Sequence, residues 1–221
     1  AENIMLFENA TVYEKAEDGM SKERKQLVLT FGKCADYDFY TMKGFVESIF
    51  EALRVDINKV YASSDPSFHK GRQATIETKG KAVAVLGQIN PVVAENFELP
   101  VNTYAAVIEL DALFEARKVE KSFKKLPAFP AIERDLALIA DDALECGTII
   151  STIESSGVKT LESVKVFDVY KGKGVEDGKK SIAFRITFRN SEKTLNDEEA
   201  DKATQKILKK LSTELGIELR R

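Results

Sequence analysis

The sequence predicts an α+β protein in two parts: a largely antiparallel sheet with flanking helices, then a smaller βαββαβ unit. Three observations predict it. Residues 181–188 alternate strictly, with Ile182, Phe184, Ile186 and Phe188 opposed to Ala183, Arg185 and Thr187, the period of a half-buried strand. Ala200, Ala203, Ile207, Leu211 and Leu215 recur at helical spacing behind Asn196. In the first half, strand-like runs are joined by turns more often than by helices, which favours antiparallel pairing.

The elements follow in order. Met5–Tyr13 and Gln26–Phe31 read as strands around a charged turn at Glu17–Arg24. Met42, Phe45, Ile49 and Leu53 fall at helical spacing, and Val46 and Phe50 widen that stripe. Short β-type runs follow at Val60–Ala62, Ala74–Glu77, Ala82–Ile89 and Tyr104–Glu109. Pro91 suits the first turn of a short helix ending near Phe97, and Leu110–Arg117 reads as helix. In the second half, Arg134–Ala140 is a strand, and Ile149, Ile150 and Ile153 mark a helix that Gly157 ends. Ser163–Tyr170 and Ser181–Phe188 are strands. Asn196 caps a helix whose first turn holds Asp197, Glu198 and Glu199, where the helix dipole favours anions. Gly216 ends that helix, and Ile217–Leu219 is a last strand. The order β-α-β-β-α-β is the ferredoxin-like arrangement, with two helices on one face of a four-stranded sheet and the other face open.

The stretch from Ala116 to Glu133 carries two of the five prolines and five basic residues, which places a boundary near Ser122 and gives parts 1–121 and 122–221. The first part has 15 basic and 19 acidic residues (net −4), the second 18 and 17 (net +1). With a net charge of −3 over 221 residues, nucleic-acid binding has to be local. Hydrophobic residues at 43% and charged residues at 31% exclude disorder and collagen-like chains. Two cysteines and one histidine argue against a structural zinc site, a disulfide framework or a histidine-based triad, and fit a cytosolic compartment. No apolar run approaches the roughly 18 residues of a membrane span. The chain begins at Ala1 without methionine and runs at once into strand, so it reads as a piece of a longer protein.

Little in the sequence builds a catalytic site. His69 has no neighbouring nucleophile to activate, and Cys34 after a strand and Cys146 before a helix suggest no catalytic pairing in the sequence; a structural role suits all three. Residues 172–181 resemble a phosphate-binding loop, but the glycine spacing is one too long and the segment joins two strands, so it reads as a hairpin. Its lysines, Lys171, Lys173, Lys179 and Lys180, either meet a nucleic-acid backbone or simply keep the loop soluble. The open sheet face is the stronger candidate. Arg185 and Arg189 alternate away from the apolar row, Arg134 lies on the first strand, and Tyr170 and Lys171 end the second. Arginine planes and an aromatic ring on an open sheet can hold unstacked bases; a merely solvated face is the other reading.

Four segments then carry a family resemblance: Phe129-Pro-Ala-Ile-Glu-Arg-Asp-Leu-Ala-Leu138, Val166-Phe-Asp-Val-Tyr-Lys-Gly-Lys-Gly174, Lys179-Lys-Ser-Ile-Ala-Phe-Arg185 and Thr194-Leu-Asn-Asp-Glu-Glu199. Together they resemble the ferredoxin-fold anticodon-binding domain that ends the bacterial phenylalanyl-tRNA synthetase beta chain. In the first half, Phe68-His-Lys-Gly-Arg72, Ala74 and Gly87-Gln-Ile-Asn-Pro91 resemble the later part of that chain's catalytic-like module, a class II synthetase-like antiparallel sheet, with Lys70 where the family usually has proline. The family's module is inactive, and neither an F-R-x-E nor a G-x-G-x-E-R stretch is present to hold ATP. The resemblance implies a parent enzyme of two alpha and two beta chains that joins phenylalanine to its tRNA with ATP and magnesium on the alpha chain. This chain would then be non-catalytic, with no cofactor or metal ligand of its own. It would touch the alpha subunit and bind the tRNA anticodon region through Arg134, Tyr170, Lys171, Lys173, Lys179, Lys180, Arg185 and Arg189. A stand-alone protein-interaction module without tRNA binding is the alternative.

Overall fold

The computed structural model describes residues 3–15, 19–118, 123 and 125–220. The chain divides into two units, Ala1–Ser122 and Phe123–Arg221. Ser122, where the sequence places the boundary, lies outside the described residues.

In the first unit, β1 (Ile4–Lys15) and β2 (Ser21–Gly32) pair along their whole length, from Ile4↔Gly32 to Lys15↔Ser21. β3 (Lys59–Ala62), β4 (Phe68–Thr78), β5 (Lys81–Ile89) and β6 (Tyr104–Glu109) complete a six-stranded sheet in the order β1-β2-β6-β5-β4-β3. Every pairing is antiparallel, as the turn-joined runs predict. Residues paired across an antiparallel ladder share a face. Leu27, Ile108, Ala84, Ile76 and Val60 therefore form one apolar row across five strands. That row packs with α1 (Phe39–Ala52) and α3 (Leu110–Ala116) in a single core.

Helix α1 starts where Asp38 accepts from the Thr41 backbone N–H at 2.9 Å and Thr41 accepts in return from the Asp38 N–H, which satisfies donors left open by the first turn. Its buried centre is Met42, Val46 and Phe50. Phe45, expected in the stripe, stays partly exposed and meets Phe31 and Tyr37 edge-on at 6.2 and 6.0 Å. The bulge in β4 brings its backbone against Gly87, where an added Cβ would lie 2.5 Å from the Arg72 carbonyl. Any side chain at 87 would force the two strands apart. Asn90 caps the short α2 (Pro91–Asn96), accepting from Val92 N–H at 3.0 Å.

The second unit runs β7 (Ile132–Asp141), α4 (Cys146–Glu154), β8 (Leu161–Tyr170), β9 (Lys179–Phe188), α5 (Asp197–Leu215) and β10 (Glu218–Leu219). The sheet order is β10-β7-β9-β8, antiparallel throughout. Two β-α-β crossovers, β7-α4-β8 and β9-α5-β10, set both helices against the same buried row of the sheet. Ile149 and Ile153 of α4 and Ala200, Ile207 and Leu211 of α5 close over Leu136, Leu138, Ile182, Phe184, Ile186 and Phe188. The buried Thr204 hydroxyl donates to the Ala200 carbonyl at 2.9 Å, so the helix satisfies its own polar group.

Candidate nucleic-acid interface

The helix-free face of the second sheet is set by register. On β9, Ser181, Ala183, Arg185 and Thr187 lie opposite the buried row, and on β7 their partners are Ile139, Ala137, Asp135 and Glu133. Strand β8 carries a bulge between Val166 and Asp168. Up to that point, Val164 and Val166 pair with the buried Ile186 and Phe184 while Lys165 pairs with Arg185. Beyond it the phase changes: Asp168 and Tyr170 pair with Ala183 and Ser181, on the open face, and Val169 pairs with Ile182. A regular strand would put Tyr170 in the row of Val164 and Val166. The extra residue reverses that and brings Tyr170 to the open side.

Two arginine–aromatic pairs occupy this face. Arg185 donates twice to Asp135, Nε to Oδ1 at 2.8 Å and NH2 to Oδ2 at 2.7 Å, and its guanidinium lies 5.5 Å from the Phe167 ring centre. The forked pair holds the Asp135 carboxyl below the ordinary carboxylate range and pushes Arg185 further up. Arg220 lies 5.2 Å from the ring centre of Tyr170. Its backbone N–H donates to the Ala137 carbonyl at 2.8 Å, continuing β10 past Leu219, and its NH1 reaches Ser181 Oγ at 3.4 Å. Small side chains at Ala137 and Ser181 leave room for this long stem to cross the sheet. Sequence reasoning missed Arg220 because it ends the last strand at Leu219; one more residue of alternation after Glu218 would have found it.

The eight sequence-predicted residues do not converge. Tyr170 and Arg185 share the open face. Arg134 does not: it pairs with Ile186 in the helix-side row, donates to Asp197 at 2.6 Å and Asp201 at 3.1 Å, and ties β7 to the start of α5. Its parity with Leu136 and Leu138 already carried that signal. Lys171, Lys173, Lys179 and Lys180 gather at the loop end of the sheet. Lys171 forms an ion pair with Asp142, Lys179 with Glu176 at 2.9 Å, and Lys180 donates to the Asp142 carbonyl at 2.8 Å. Lys173 forms no ion pair among the described residues, and its carbonyl accepts from the Tyr170 hydroxyl at 3.3 Å. Arg189 sits beyond the far end of β9, held by Glu162 at 2.7 Å and the Phe129 carbonyl at 2.6 Å. Residues 171–178 join β8 to β9 as a hairpin and 179–181 already lie in β9, without the helix N-terminus that a phosphate loop needs.

In the first unit the residues singled out by the sequence hold local structural contacts. His69 accepts from the Gly71 N–H at 3.1 Å through Nδ1, bracing its own bulge. Cys34 is buried in the core. No group of three or more His, Cys, Asp or Glu side chains is placed to hold a metal ion among the described residues. Of the strand arginines, Arg24 is held between Glu14 and Glu109, and Arg72 donates to Gln88 at 2.7 Å. No helix among the described residues is long and apolar enough to cross a membrane.

Comparison with known proteins accords with this geometry. Residues 127–220 match the family described as "Ferredoxin-fold anticodon binding domain", which places the second unit in the class of tRNA-recognition modules. Residues 1–111 match "Phenylalanyl tRNA synthetase beta chain CLM domain". The chain is 38% identical over 216 residues to the phenylalanine–tRNA ligase beta subunits of Clostridium tetani and Clostridium acetobutylicum, covering 97% of itself and 27% of each. It is 36% identical over 189 residues to that of Lactococcus lactis subsp. lactis, covering 86% of itself and 24% of the relative. The chain belongs to the phenylalanyl-tRNA synthetase beta chain family. It spans about a quarter of the length of these curated relatives.

Proposed function

We propose that this chain is the non-catalytic C-terminal part of a phenylalanine–tRNA ligase beta subunit. Its second unit binds the tRNA anticodon region on the open sheet face, and its first unit contributes scaffold contacts to the alpha subunit. The parent enzyme, two alpha and two beta chains in the cytoplasm, uses ATP and magnesium on the alpha chain. One observation carries the reading: an open four-stranded face bearing Arg185 with Phe167 and Arg220 with Tyr170, in a unit that matches an anticodon-binding family. Anticodon bases are single-stranded and splayed, so flat rings and guanidinium planes suit them better than groove readout. Within the predicted set, Tyr170 and Arg185 serve bases, and Lys171, Lys173, Lys179 and Lys180 serve phosphates at the loop end. Arg134 and Arg189 act through the positions of α5 and β8.

The test is a titration of the chain with tRNA carrying a phenylalanine anticodon, against another tRNA, from low to high salt. Preferential binding that weakens steeply with salt supports the reading. Equal, salt-insensitive weak binding of both tRNAs contradicts it. A protein-interaction role draws support from the first unit, where Leu6, Phe7 and Met20 stay 62%, 77% and 70% exposed. Such an interface would weaken little with salt.

A further inference from the structure

We propose that Arg220 contacts RNA: its guanidinium covers the Tyr170 ring in the free chain and, when a base stacks on that ring, moves to the phosphate of the same nucleotide. This rests on the reading of the open face as the tRNA surface. With the guanidinium 5.2 Å from the ring centre, a base cannot enter between them, so arginine and base compete for one face. The loop side of the ring is already taken. Gly172, at φ +147°, sits so close that a Cβ there would lie 3.0 Å from the Tyr170 hydroxyl, and that hydroxyl donates to the Lys173 carbonyl. The hydroxyl end of Tyr170 is thus tied to the loop, and the ring face that Arg220 covers is the one a base would take.

Charge separates Arg220 from the other described arginines of this unit. Arg185, Arg134 and Arg189 are each neutralised by a carboxylate, at 2.7, 2.6 and 2.7 Å. Among the described residues Arg220 has no ion pair; it holds only a ring face and the Ser181 hydroxyl. Displacement therefore breaks no salt bridge and frees a full positive charge beside the incoming backbone. Its fold contribution runs through the backbone bond to Ala137, which substitution leaves in place.

The experiment measures tRNA affinity of the full chain against salt for wild type, Arg220→Ala, Arg220→Lys and Tyr170→Ala, with thermal melts confirming folding. Arg220→Ala is expected to weaken binding about tenfold and to lower the slope of log K on log salt by about 0.7, one phosphate contact on a single strand. Arg220→Lys should keep the slope, and Tyr170→Ala should lose affinity with the slope unchanged. Unchanged or tighter binding by Arg220→Ala, with Tyr170→Ala still weakened, overturns the role of Arg220 and leaves the sheet-face reading standing. If neither alanine variant changes binding, the sheet-face reading fails as well.

Discussion

Arg185 shows how a residue can lie on the right surface and still be spoken for. Its fork is filled by Asp135, so in the free chain it offers RNA a flat plane over Phe167 rather than an open charge. Asp135→Asn removes that competitor. The expected outcome is tighter tRNA binding with a steeper salt slope, read in the same titration; weaker binding would mean that the Asp135–Arg185 pair itself is what RNA recognises. The pair also has a pH consequence. The Asp135 carboxyl is held down chiefly by its hydrogen bond to Arg185, and Glu199 chiefly by Lys193. A depressed folded value stabilises the fold above the unfolded value, about 4 for carboxylates, and that stability is lost as pH falls through the folded value. Melting temperatures should therefore drop below about pH 4, and Asp135→Asn should flatten that drop. An identical acid profile in the variant would remove Asp135 from the account.

Among the elements, α5 depends on its first turn. Asn196 Oδ1 accepts from Glu199 N–H at 2.9 Å, and Glu199 Oε2 accepts from Asn196 N–H at 3.2 Å. Asn196→Ala should cost about 1 kcal/mol in denaturant unfolding; no measurable loss would mean that tertiary packing alone fixes the helix start. This cap was legible in the sequence because Asn196 and three acidic residues precede an apolar stripe. The strict alternation of β9 was equally legible, and with it the placing of Arg185. The bulge in β8 was not, since Val164–Tyr170 puts apolar residues on both faces and gives no phase to break. Tyr170 is an open-face candidate from the sequence, but how it reaches that side is visible only in the register. Arg134 differs for another reason: a charge near a strand end suggests the open surface, but its parity with Leu136 puts it on the helix side, where the acidic first turn of α5 receives it.

At the scale of the whole chain, the two units expose different chemistry. The first exposes apolar side chains, Leu6 and Phe7 on the edge strand β1 and Phe97 at 73% exposure after α2, the kind of surface a partner covers. It should self-associate in light scattering at high concentration, or melt higher when the alpha subunit is added. A monodisperse chain indifferent to the alpha subunit would contradict that. The second unit presents arginines and rings, and in the proposed function its open face takes unstacked anticodon bases. The most direct measurement is the affinity of folded Tyr170→Ala for tRNA carrying the phenylalanine anticodon. A loss of about 1–3 kcal/mol relative to wild type, the worth of one stacked base, is the predicted result. Wild-type affinity in that variant would contradict it.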